Sequence, residues 1–68
     1  MAVYEELKVN LSEATSKALR EAAQLTGDSL TDTINRAIQV YKHLMEAEAR
    51  GGTLMVHEKG EVFTLSFD

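Results

Sequence analysis

The stretch Leu7–Ala14, "LKVNLSEA", alternates apolar and polar residues for five positions and then breaks into helix formers. A period of two puts Leu7, Val9 and Leu11 on one face of an extended segment, with Lys8 and Asn10 on the other. Glu5 falls on the apolar side by the same parity, so the strand is expected to begin near Glu6. Ser12 ends it, because its hydroxyl can accept from a backbone N–H two or three residues on and so cap a helix. A lone strand leaves a row of backbone donors and acceptors unpaired in water. Its partner has to come from the rest of the chain or from a second copy of it.

Bulk properties narrow the choice. At 68 residues the chain makes one small domain, in the size range where a single core is barely sufficient and oligomerisation is a common remedy. It has no cysteine, which leaves neither a disulfide framework nor a thiolate metal site. No apolar run approaches the ~18 residues of a membrane span. The segment "MAVYEELKV" lacks a basic-then-apolar leader pattern. The expectation is a cytoplasmic protein without a membrane partner. Net charge is −4, with −2 in residues 1–28, zero in 29–50 and −2 in 51–68. No basic segment is hidden in that total, and a polyanion binder usually shows one.

Residues Ser12–Thr26, "SEATSKALREAAQLT", contain neither Gly nor Pro, and Ala18, Leu19, Ala22, Ala23 and Thr26 recur at spacings of three and four. That pattern predicts a helix of about four turns with a thin, alanine-rich stripe. Gly27 stands where a left-handed C-cap residue is expected. Ser29–Asp32, "SLTD", reads as a capping box, with Ser29 capping and Asp32 reaching back to the Ser29 N–H. A longer second helix follows, in which Leu30, Ile34, Ala37, Ile38, Tyr41, Leu44, Met45 and Glu48 step by three and four until Gly51 and Gly52. Some twenty residues make a rod of ~30 Å, longer than the first helix can cover, so its apolar flank also needs a partner.

The tail "TLMVHEKGEVFTLSFD" changes period again and predicts a β-hairpin around Lys59 and Gly60. Pairing Val56 with Phe63 and Leu54 with Leu65 gathers Leu54, Val56, Phe63, Leu65 and Phe67 on one face. A register one residue off mixes apolar residues on both faces, so the first is preferred. "EKGE" is then expected as a four-residue loop that spares Glu58 and Glu61 direct pairing. The chain order is strand, helix, helix, hairpin, with no internal repeat.

Two arrangements satisfy the first strand. It can pair antiparallel with its own copy, forming a ribbon over an intertwined helical core, or it can join the hairpin as a three-stranded sheet in a monomer. The thin core and the long apolar flank of the second helix favour the first.

Residues 6–44 or so, "LKVNLSEATSKALREAAQLTGDSLTDTINRAIQVY" within them, resemble the ribbon-helix-helix domain of the MetJ/Arc type. The likeness lies in an alternating strand, a Ser-Glu helix start, a Leu-x-x-Ala-Ala stripe, and a Gly-x-Ser opening to a helix with Ile34, Ala37 and Ile38 inside. The implied fold is mainly α with a β-ribbon: an intertwined homodimer with an intermolecular antiparallel two-stranded ribbon, plus the C-terminal hairpin. Its expected parts are an N-terminal arm at 1–5, a ribbon-helix-helix domain with an extended second helix at 6–52, and the hairpin at 53–68. The hairpin is expected to pack on the second helix and enlarge the dimer.

The resemblance implies a transcriptional regulator, in the sense of a repressor, whose ribbon enters the major groove of double-stranded DNA at operator half-sites. Carried over position by position, Glu6, Lys8 and Asn10 contact bases, while Leu7, Val9 and Leu11 face the dimer core. Lys8 can donate to guanine and Asn10 can pair bidentately with adenine. The start of the second helix, through the backbone N–H groups of Ser29, Leu30 and Thr31, would clamp a phosphate. Glu6 and Asp28 stand where the family often has basic residues, which implies modest affinity supported by cooperative binding of dimers side by side. The alternative is a ribbon-helix-helix interaction module, antitoxin-like or a phage or plasmid accessory protein, with weak or no DNA binding and a protein partner on the hairpin. His43 and His57 read as surface residues, and Met45 and Met55 as core or interface. No phosphate loop, nucleophile–base pair or metal-ligand spacing occurs, so neither an enzyme nor a cofactor or metal is expected.

Overall fold

A computed structural model of the chain describes residues 4–65. Residues 1–3 of the expected arm, and Phe67 of the expected hairpin face, lie outside the described residues. The protein is mainly helical, with helices α1 (Glu13–Thr26) and α2 (Leu30–Ala49) followed by strands β1 (Met55–Glu58) and β2 (Glu61–Thr64). It divides into two units, Met1–Thr33 and Ile34–Asp68.

In the first unit, local polar chemistry fixes both ends of α1. Ser12 adopts φ −66°, ψ 162°, and its Oγ accepts from the Thr15 N–H at 3.1 Å, satisfying one of the donors that the first turn leaves without an intrahelical partner. Glu13 in that turn complements the positive end of the helix dipole. At the other end Gly27 takes φ 76°, and its N–H donates to the Ala23 carbonyl at 2.8 Å, the left-handed C-cap expected there. The Thr26 hydroxyl accepts from the Asp28 N–H at 3.3 Å, which holds the turn toward α2. Ser29 then caps α2 by accepting from the Asp32 N–H at 3.1 Å, while its carbonyl accepts from the Thr33 N–H and hydroxyl at 2.9 and 2.8 Å. The other half of the expected capping box does not form among the described residues. The Asp32 side chain is one methylene shorter than the Glu that usually makes the return bond.

In the second unit, α2 ends in a double glycine. Gly51 N–H donates to the Glu48 carbonyl and Gly52 N–H to the Ala47 carbonyl, each at 2.9 Å, which is a full Schellman closure. Gly51 sits at φ 83°, and a Cβ on Gly52 would meet the Ala47 carbonyl oxygen at 2.9 Å, so both positions call for glycine.

The hairpin has the expected register: Val56 faces Phe63, and the Leu65 N–H donates to the Leu54 carbonyl at 2.8 Å. Its loop is tighter than expected. Lys59 (φ 47°) and Gly60 (φ 81°) alone form it, in the doubly positive-φ geometry of a type I′ turn, and Glu58 pairs directly with Glu61. The four-residue "EKGE" loop is therefore corrected to two residues. The turn's twist matches that of the strands, and this outweighs the repulsion of two carboxylates at the ladder's end. Among the described elements of this unit, β1 and β2 pack on each other.

Ala23, 7% exposed, is the one buried residue among those described.

Candidate functional site

The site read from sequence has two parts, both in the first unit. Residues 4–11 contain no helix, turn or bend and run directly into the Ser12 cap. Glu6, Lys8 and Asn10 are exposed there. So is the complementary apolar set: Leu7 is 75% exposed, Val9 65%, and Leu11 nearly half. The expected strand at residues 6–11 is not assigned as one. Among the described residues the sheet consists of β1 and β2. Glu6, Lys8 and Asn10 alternate with the apolar set, and their side-chain charges cancel.

The second part is the start of α2. Capping has already engaged the Asp32 N–H. Ser29, Leu30 and Thr31 supply the preceding N–H groups, at the positive end of a helix dipole. Beside them a shallow groove of about 380 Å³ is lined by Arg20, Ala23, Gln24, Gly27, Asp28 and Leu30. Arg20 is the residue that the sequence reading missed. Its position three, four and seven residues before Ala23, Gln24 and Gly27 puts it on the same helix face as the groove, and that spacing was the available signal. Arg20 and Asp28 therefore bring opposite charges to one groove at the α1–α2 corner.

Elsewhere His43 Nδ1 lies 3.8 Å from Glu46 Oε1, one turn along an exposed helix face. No group of three His, Cys, Asp or Glu side chains among the described residues gathers as metal ligands do. No helix of the described residues is long and apolar enough to cross a membrane.

The fold thus defines a mainly helical chain of two capped helices and a two-stranded antiparallel hairpin, with an exposed alternating segment at its N-terminal side. No family model, curated protein or solved structure matches it.

Proposed function

We propose that the chain is a ribbon-helix-helix DNA-binding regulator, a repressor, acting as a cytoplasmic homodimer. In this reading residues 6–11 of two copies pair antiparallel, Leu7, Val9 and Leu11 close the dimer core, and Glu6, Lys8 and Asn10 of both chains read bases from the major groove. The observation that carries it is the alternating segment itself, which keeps Leu7, Val9 and Leu11 exposed and is joined to α1 by a single capping serine. Such a strand is an aggregation liability unless a defined partner covers it.

The phosphate contact falls to Ser29, Leu30 and Thr31 at the start of α2, with Arg20 in the neighbouring groove supplying the cation that Asp28 offsets. Glu6 can accept from cytosine N4 and so take part in reading. Lys8→Ala and Asn10→Ala are expected to leave the dimer intact by light scattering and to abolish operator retention in a gel shift. A wild-type chain that retains no DNA at low salt, from a library of the neighbouring intergenic sequences, overturns the DNA-binding reading.

The exposed apolar face of the hairpin favours a second reading. Phe63 is 47% exposed, with Val56 and Leu65 also open. On that reading the dimer is an antitoxin-like or accessory module whose hairpin binds another protein. A pull-down that still captures the partner after deletion of residues 53–68 counts against the hairpin as the docking site.

A further inference from the structure

We draw no further inference here: the strongest candidate, the exposed apolar face of the C-terminal hairpin formed by Val56, Phe63 and Leu65, carries none because nothing in the structure shows what covers it.

Discussion

Ser12 decides where an extended segment becomes a helix, and it does so with one atom. Its Oγ accepts the Thr15 N–H at 3.1 Å while its hydroxyl donates to Thr15 Oγ1 at 2.8 Å, so the side chain is tied at both its donor and its acceptor. Ser12→Ala removes the cap and leaves a first-turn donor to water, a loss of about 1 kcal/mol. For a domain of this size that corresponds to a fall in melting temperature of roughly 4–8 °C, readable by far-UV circular dichroism. Ser12→Asp, which keeps an acceptor at the same position, should restore most of it. A Ser12→Ala chain that melts with the wild type would mean that α1 is held by its packing and not by its cap. Gly27 closes the same helix from the other side, at φ 76°, where an added Cβ would meet nothing within 4 Å; any cost of an alanine there is backbone strain, since space is not limiting.

The elements differ in how plainly the sequence announces them, and the hairpin shows why. Its register is legible because a shift of one residue would scatter Val56, Phe63 and Leu65 over both faces. Its turn is not, because a type I′ loop is usually marked by Asn-Gly or Asp-Gly, and here a lysine occupies the first positive-φ position. The tighter turn has a consequence for charge: Glu58 and Glu61 now face each other across the ladder. Replacing Glu61 with Lys converts a like-charged pair into an attractive one, worth about 0.2–1 kcal/mol at such a position, and should raise the hairpin's amide-exchange protection at low salt. An unchanged protection pattern would mean that the two carboxylates diverge enough to ignore each other. Both helices were legible from their caps, Ser12 with Gly27 and Ser29 with Gly51, because those bonds are local. In the candidate site the residue types at Glu6, Lys8 and Asn10 could be read from alternation, but Arg20 came into view only when the groove at the α1–α2 corner brought it beside Asp28 and Leu30. The segment at residues 6–11 is the opposite case: its alternation is plain, yet no strand is assigned there, and in the proposed homodimer it becomes one when the backbone of a second copy meets it.

At the scale of the molecule, the chain has two capped helices and almost nothing buried among the described residues. Ala23 is the lone buried residue among those described, while Leu7, Val9, Ile38 and Tyr41 stand in water. Each ordered residue costs roughly 1–2 kcal/mol of backbone entropy, and one alanine cannot offset that over a whole domain at ~25 cal/mol per Å² of apolar area. Caps and turns specify the local geometry; in the proposed homodimer the missing stabilisation comes from the surface that a second chain covers. If so, folding and dimerisation are one event, and the unfolding midpoint depends on protein concentration by mass action. Denaturation followed by circular dichroism across a hundredfold range of concentration should show the midpoint rising throughout, with the free energy between two unfolded chains and the folded dimer gaining about 1.4 kcal/mol per tenfold increase. Addition of Val9→Lys, which puts a charge into the proposed ribbon core, should lower the midpoint at every concentration and leave no folded population at the most dilute. A midpoint that stays fixed across the range would mean that a single chain is stable alone, and with it the intertwined homodimer and its ribbon would both have to be given up.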